Sequence, residues 1–298
     1  MTTSSEAGDK IKVGPPTPDP GTGVPLWSDA LKQGFRLLPR ARFLILIPLA
    51  FDLGMLAVAV IPTMASPQFT MPVALPSVAQ VEGPGAGALP FYPLYLLGVS
   101  GDLVTALLLL LLVVQGYLAA GYVGRLEMVR RREAAGGFFA AANRAFARVL
   151  AFLAITTFLV LAASPFLLGG LALGAAALFV FATVIALLYF LFLTPFVVVV
   201  ENAPLAVAFR TSVELAARRF AEVGPYCLGY VTITLLVSSA FFLMGGGLLG
   251  LLLFPVVYSI VGTGLVGSTL YLYAGLRPVE PLAVATPEPE AVEEVVPA

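Results

Sequence analysis

The sequence contains no histidine and a single cysteine, Cys227. Without histidine, this chain can carry neither a catalytic histidine nor a histidine-ligated metal. A single cysteine excludes an intramolecular disulfide and any metal cluster held by several cysteines. Cys227 lies near the start of an apolar run with no basic group beside it, so we interpret it as a packing residue. No metal and no cofactor are predicted.

Charged residues are also scarce, because only 11% of the 298 residues are charged, against about 25% in ordinary soluble domains. The net charge is -1, so no overall positive field attracts nucleic acid, and we do not expect nucleic-acid binding. Hydrophobic residues make up 59% of the chain. They recur in apolar runs of roughly 20 residues, the length that crosses a bilayer core. The composition therefore predicts an all-α fold, a polytopic membrane helical bundle.

Six transmembrane helices are predicted, at 43–61, 93–123, 149–168, 171–194, 223–244 and 248–273. Short glycine links, at 169–170 and 245–247, indicate that the third and fourth spans and the fifth and sixth spans form antiparallel hairpins. The first run has no small-residue cleavage site and is predicted to be retained as a span. The predicted six-span membrane domain covers 26–276, between a disordered tail at 1–25 and a disordered acidic tail at 277–298.

The basic residues are sorted to one side of these predicted spans. They lie before the first span, between the second and third, between the fourth and fifth, and after the sixth: Lys10, Lys12, Lys32, Arg36, Arg40, Arg42, Arg125, Arg130, Arg131, Arg132, Arg144, Arg148, Arg210, Arg218, Arg219 and Arg277. The three opposite loops contain neither lysine nor arginine. Because short loops rich in these residues stay in the cytoplasm, both termini are predicted to be cytoplasmic, in the cell inner membrane.

A unit of one amphipathic helix followed by a two-span hairpin is predicted to occur three times, as a pseudo-threefold repeat. The three cytoplasmic amphipathic helices are predicted in LWSDALKQGFRLLPR, FFAAANRAFARVL and PLAVAFRTSVELAARRF. The candidate contacts with anionic lipid headgroups are the basic residues on their polar faces: Lys32, Arg36, Arg144, Arg148, Arg210 and Arg218. Alternatively, the helices are cytoplasmic extensions that pack on the bundle, with their arginines solvated. The lipid bilayer is the expected partner, and a protein partner is left open.

The most distinctive segment is PFVVVVENAPLAVAFRTSVELAARRF, which begins at Pro195. It resembles a recurring pattern of bacterial six-span membrane proteins through Pro195, Glu201, Asn202, Ala208, Ser212 and Phe220. These proteins include the membrane domain attached to some glycerophosphodiester phosphodiesterases, and the resemblance extends loosely over 26–276. The resemblance implies a six-helix membrane domain. It does not imply the phosphodiesterase reaction, which belongs to a separate soluble domain rich in histidine and acidic metal ligands.

The residues of this segment also support a local interpretation. Asn202 precedes Ala203 and Pro204, and proline is favoured in the first turn of a helix. Asn202 is therefore predicted to cap the following helix by accepting a backbone N–H. Glu201 is then predicted to lie near the positive start of that helix.

Two acidic residues lie inside predicted spans. Asp52 is about ten residues into the first span and Asp102 about nine into the second, so at 1.5 Å per residue both approach mid-depth. A carboxyl group at that depth is costly and usually faces the bundle interior. One hypothesis is a proton or cation site, with Thr105 and Gln115 as further oxygen donors. The other is a neutral, hydrogen-bonded pair that locks the first hairpin.

Two short motifs match enzyme patterns incompletely. VSGD at 99–102 is similar to the GxGD motif of intramembrane aspartyl proteases, but valine occupies the first glycine position. GTGLVG at 262–267 fits GxGxxG, but no strand is predicted before it. We interpret its glycines as points of close helix approach. A non-catalytic scaffold or accessory subunit of a membrane or envelope machine is therefore the leading hypothesis, a small transporter or channel is the second, and an enzyme is the third.

Overall fold

The structure, a computed structural model, describes residues 26–59, 101–133, 137–168, 174–243 and 248–277. Within these ranges the chain forms helices and turns, and no strand occurs there. The helices are α1 (Leu26–Leu37), α2 (Leu46–Ala59), α3 (Gly101–Arg131), α4 (Phe138–Leu168), α5 (Ala175–Leu191), α6 (Thr194–Glu201), α7 (Leu205–Arg218), α8 (Phe220–Leu243) and α9 (Leu248–Leu276). The predicted tail at 1–25, the loop that follows α2 and the end of the chain after residue 277 lie outside the described residues.

Five helical stretches of the described part are long and apolar enough to cross a membrane. They are Leu109–Arg131, Phe138–Leu159, Leu178–Glu201, Phe220–Ala240 and Leu253–Leu276. The prediction of an all-helical, multi-pass membrane protein is thereby confirmed at this level. The predicted first span coincides with α2, of which 14 residues are described. A total of six spans therefore stays a prediction, because the predicted first span is not among these five stretches.

Most of the large exposed apolar side chains lie in one half of the long helices. This group, which we call the lipid band, contains Leu103, Leu109, Leu110, Val113, Val114, Ile155, Phe158, Leu178, Phe179, Ile185, Leu187, Leu228, Leu235, Leu236, Leu253, Val257 and Ile260. An apolar surface of this extent is unusual on a soluble monomer. Hydrocarbon covers such a surface without cost, as expected for spans that face lipid.

The other half of these helices is densely packed, and we call it the basic end because its surface carries arginines. It consists of α1, the C-terminal halves of α3 and α9, the N-terminal half of α4, α6, α7 and the start of α8. Tyr122, Phe152, Phe196 and Tyr226 are among its largest fully buried side chains. The core of the described part is therefore concentrated here, beyond the lipid band.

The three predicted amphipathic segments do not form the same structure. The first and third form the separate helices α1 and α7. The second is wrong as a separate helix, because it forms the start of α4, a continuous helix of 31 residues. Neither proline nor glycine occurs between 138 and 163, so nothing in the sequence ends the helix before the span begins. The pseudo-threefold repeat is therefore not confirmed.

Helix α1 packs antiparallel against α9, with their backbones in direct contact. A Cβ atom added at Gly34 would lie 2.5 Å from the carbonyl oxygen of Gly264. One added at Gly267 would lie 3.4 Å from the carbonyl oxygen of Gly34. The interpretation of the GTGLVG glycines as points of close helix approach is thus confirmed for Gly264 and Gly267. At the start of α1, the Trp27 N–H donates to the Glu222 carboxylate of α8 over 3.1 Å, which satisfies a donor that the helix itself cannot pair.

Candidate functional site

The distinctive segment begins with a break in the fourth predicted span. Helix α5 ends at Leu191, and α6 follows after two turn residues with Pro195 in its first turn. Proline has no N–H, so the carbonyl of Leu191, four residues earlier, receives no helical hydrogen bond from it. The residues of α6 from Thr194 to Val199 are all buried. Pro195 thus starts a short helix that lies in the centre of the basic end.

Ser212 and Tyr189 hold α7 against the end of α5. The Ser212 hydroxyl donates to the carbonyl of Phe190 over 2.6 Å. In the opposite direction, the Tyr189 hydroxyl donates to the carbonyl of Ala216 over 3.1 Å. Ser212 is fully buried, with 0% of its surface exposed. It therefore joins α7 to the end of α5 by a buried hydrogen bond beside the break.

The predicted capping role of Asn202 is wrong. Asn202 follows α6 in the left-handed conformation, with φ of 56°, and ends that helix as asparagine sometimes does. The cap position of α7 belongs to Pro204, which makes no side-chain capping bond. Asn202 instead accepts hydrogen bonds from Arg148, through its side-chain oxygen and its backbone carbonyl. Glu201 does not lie at a helix start either, because it is the last residue of α6 and forms an ion pair with Arg277.

Arg148 differs from the other five residues predicted to contact lipid headgroups. It is partly buried and bonded to protein oxygens, those of Ala203 at 3.1 Å and Arg144 at 2.6 Å among them. The side chains of the other five are exposed: Lys32, Arg36, Arg144, Arg210 and Arg218. Arg210 pairs with Glu214 over 3.2 Å, at a surface position. Four of the six are therefore exposed without such an ion pair among the described residues.

Glu127, which sequence reasoning missed, is a buried acid of the basic end whose carboxylate accepts three hydrogen bonds. It is 6% exposed, and its carboxylate accepts hydrogen bonds from Arg130, at 2.6 and 2.7 Å, and from Arg131, at 2.6 Å. The Arg130 guanidinium also lies 5.6 Å from the centre of the Tyr271 ring on α9. The spacing of three and four residues was a signal for helical ion pairs. Nothing in the sequence indicated that the pairs would be buried.

Tyrosines fill the space between α9 and its neighbours. The Tyr122 hydroxyl donates to Thr263 over 2.7 Å. The Tyr226 hydroxyl lies 2.6 Å from that of Ser268 and 2.7 Å from that of Thr269. Bonds of this kind between helices stabilise membrane bundles by about 0.6 kcal/mol on average. Cys227 packs against the same cluster, in agreement with its interpretation as a packing residue.

The four residues of the hypothetical ion site lie in different environments. Asp52 and Gln115 are buried, with 3% and 1% of their surface exposed, whereas Asp102 is exposed in the first turn of α3. The side chain of Thr105 lies outside what the structure describes. Asp52 belongs to α2, which packs against α9, and Gln115 belongs to α3. A shared site for the four residues therefore stays a prediction.

Two apolar grooves open sideways on the bundle. The larger, which we call the lateral groove, has a volume of about 770 Å³ and lies between α5 and the corner of α7 and α8. Its lining residues are Ala182, Ile185, Ala186, Tyr189, Phe190, Ala217 and Phe220. The smaller groove, of about 240 Å³, lies between α4 and α5. Phe220, the last residue of the distinctive segment, is 65% exposed, and its ring centre lies 6.0 Å from that of Tyr189.

Comparisons with known proteins do not identify a family for this chain. No protein-family model matches the chain, and neither a curated protein nor a solved structure matches it. The resemblance to the membrane domain of glycerophosphodiester phosphodiesterases therefore stays a prediction. The chain is a multi-pass helical membrane protein with five candidate spans in its described part and a densely packed basic end.

Proposed function

We propose that the protein is a non-catalytic integral membrane scaffold, or an accessory subunit of a membrane or envelope machine. The observation that supports this role is the filled centre of the basic end. Tyr122, Phe152, Phe196, Tyr226 and Tyr230 are each 2% exposed or less. A transport path along the bundle axis would have to pass through these rings. Side chains packed at the density of an organic crystal favour one fixed arrangement, which suits a scaffold.

The proposed arrangement has six spans, with the basic end and both termini in the cytoplasm and the spans in the inner membrane. The complete sorting of the basic residues supports this orientation. The lipid band supports the position of the membrane along the helices. The exposed Lys32, Arg36 and Arg144 would then face anionic headgroups or a protein partner at the cytoplasmic surface.

A small transporter or channel is the second candidate, and the burial of Asp52 favours it. A carboxyl group inside a membrane helix is costly and often marks an ion or proton pathway. Asp52 is 3% exposed. The lateral groove and the smaller groove are lined by neither Asp52 nor Asp102. For this reason the scaffold role takes precedence.

Ion flux in proteoliposomes separates the two candidates. The native protein is compared with the double variant Asp52→Asn, Asp102→Asn, and with Asp29→Asn, which removes a carboxylate from α1 instead. Asparagine keeps most polar contacts and removes the titratable group. The scaffold proposal predicts no flux of protons, sodium or potassium in any of the three, and thermal stability close to that of the native protein. Native flux that persists in Asp29→Asn and disappears in the double variant would reject the scaffold role.

A further inference from the structure

We propose that the lateral groove binds one acyl chain of an anionic phospholipid, whose phosphate is held by Arg218 and Arg219. This inference rests on the multi-pass placement of the chain and is independent of the scaffold role. It assigns a specific lipid site, in addition to any general attraction between the basic end and the membrane surface.

The shape of the lateral groove suits an acyl chain. Its α5 wall consists of one helical face, in which the lining positions 182, 185, 186, 189 and 190 repeat every three or four residues. This face extends over about 12 Å, at 1.5 Å per residue. The alanines at 182, 186 and 217 leave the space open, and larger apolar side chains form its sides. The volume of about 770 Å³ lies within the range of about 300–1,000 Å³ that small-molecule sites occupy.

The lateral groove joins the lipid band to the basic end. Ile185 lines the groove and also belongs to the lipid band. Leu178, four residues before Ala182 on the same helical face, belongs to the lipid band too, so this end of the groove faces hydrocarbon. The other end lies beside the rings of Tyr189 and Phe220, just before the break that starts the basic end. Tyrosine side chains such as that of Tyr189 concentrate at the headgroup level of membranes. An acyl chain in the groove would therefore place its headgroup beside the start of α8.

The charge at this end of the groove selects an anionic lipid. Arg218 and Arg219 lie in sequence between Ala217 and Phe220, which both line the groove, and both arginines are exposed. Within the described ranges, neither guanidinium bonds to another residue, in contrast to Arg148. Guanidinium groups bind phosphate oxygens in a bidentate manner. Apolar lining and two neighbouring cations together match a diacyl phospholipid with net negative charge.

Fluorescence quenching by brominated lipids tests the site. The protein has one tryptophan, so a Trp27→Phe background allows a single reporter to be placed. Phe220→Trp reports on the lateral groove. Leu228→Trp, 70% exposed on α8 and not among the groove residues, is the control for ordinary lipid contact. Each protein is reconstituted in phosphatidylcholine with a small fraction of brominated phosphatidylglycerol, and then with brominated phosphatidylcholine instead.

The site predicts that brominated phosphatidylglycerol quenches the groove reporter more strongly than the control reporter. Brominated phosphatidylcholine should quench both to the same extent. Replacing both Arg218 and Arg219 by glutamine should weaken the binding of phosphatidylglycerol relative to phosphatidylcholine about thirtyfold, since each cation beside the bound headgroup strengthens the binding of an anionic lipid about fivefold. Replacing Arg36 and Arg40 by glutamine removes the same charge from another exposed place and should leave the preference unchanged.

A second variant fills the groove without changing its charge. Ala186→Phe should abolish the preference for phosphatidylglycerol, whereas Ala154→Phe, at an exposed position of α4 outside both grooves, should retain it. If Ala186→Phe does not fold, the exposed arginine pair still decides the question.

Several outcomes would overturn the lipid site. Equal quenching of both reporters by brominated phosphatidylglycerol would do so, and so would equal effects of the two arginine pairs. A groove reporter quenched by neither lipid, in a dimer that Ala186→Phe dissociates, would assign the groove to a second copy of the chain. A control reporter at 228 that no lipid quenches would reject the membrane placement itself, and the site with it.

Discussion

At the residue scale, Glu127 shows how the basic end tolerates a buried acid. Its carboxylate lies between the guanidinium groups of Arg130 and Arg131, and the side chain of Arg130 is itself only 9% exposed. Removing one partner of a buried ion pair leaves the other charge without compensation. The carboxylate of Glu127 is therefore needed chiefly because Arg130 is buried beside Tyr271.

We expect Glu127→Gln to lower the free energy of unfolding by about 3–5 kcal/mol, the usual cost of breaking a buried pair. Glu214→Gln is the matched control, because Glu214 also pairs with an arginine four residues away, Arg210, but at the surface. Its effect should stay within about 0.5 kcal/mol. Chemical unfolding in detergent micelles measures both values. Equal losses in the two variants would show that the burial of Glu127 does not matter for stability.

For the distinctive segment, the contacts of individual residues were the feature that the sequence predicted least well. Asn202 and Pro204 match the start of a helix, but the residue that precedes them ends another helix, α6. The left-handed turn at Asn202 depends on that earlier helix and on Arg148, which lies 54 positions away in the chain. A local pattern contains no information on such a distant partner. Ser212 could be singled out from the sequence, although its acceptor, the carbonyl of Phe190, could not.

At the element scale, the apolar runs predicted the positions of the helices more accurately than their ends. The predicted second span stops at 123, but α3 continues to Arg131, and this extension includes four charged residues: Arg125, Glu127, Arg130 and Arg131. The predicted fourth span stops at 194, whereas α6 continues the chain to Glu201. Hydropathy detects the part of a helix that lipid covers. It does not detect the part that another helix covers, and that part forms the basic end here.

The contact between α1 and α9 leads to a prediction about one glycine. Gly34→Ala places a methyl group 2.5 Å from the Gly264 carbonyl oxygen, and a backbone atom cannot move aside without separating the helices. We expect a loss of at least about 1–3 kcal/mol, as for other overpacked sites. We also expect faster proteolysis within α1. Thermal unfolding and limited proteolysis measure the two effects.

Gly54→Ala is the control for this substitution. Gly54 is also helical, in α2, but no residue that the structure describes lies within 4 Å of a Cβ atom added there. Since alanine favours a helix over glycine by about 1 kcal/mol, this variant should be as stable as the native protein or more so. A Gly34→Ala variant as stable as Gly54→Ala would mean that α1 is not held by close contact with α9.

At the scale of the whole molecule, the arginines and the exposed apolar side chains divide the same helices into two zones. The lipid band carries most of the exposed large apolar residues, whereas the basic end carries the arginines and a few exposed apolar side chains such as Phe139 and Phe220. The sequence predicted this division, because lipid and water select different residue types along each span. It could not predict that α1 packs on α9 or that α6 lies in the centre, since those contacts join segments far apart in the chain. Side-chain patterns within a segment do not identify a distant partner.

Topology is the prediction that tests the whole arrangement. Six spans with the basic end inside predict that reporter fusions read external at Gly85 and cytoplasmic at Gly136 and Glu280. A cytoplasmic signal at Gly85 would contradict the six-span arrangement. These three fusions alone do not distinguish six spans from five, because a chain whose first run stayed outside would give the same three signals.

The contact of α1 with α9 supplies the missing test. Leu26 lies against Gly275, near the C-terminal end of α9, so α1 must be on the same side of the membrane as that end. If Glu280 is cytoplasmic and Gly85 external, the chain has to cross the membrane between α1 and residue 85, and α2 is the helix that the structure describes in this part of the chain. Arg36→Cys, at an exposed position of α1, in a Cys227→Ser background should react with an impermeant thiol reagent only after the membrane is opened. Labelling of this cysteine in intact cells would show that α2 does not cross the membrane and that the chain has five spans.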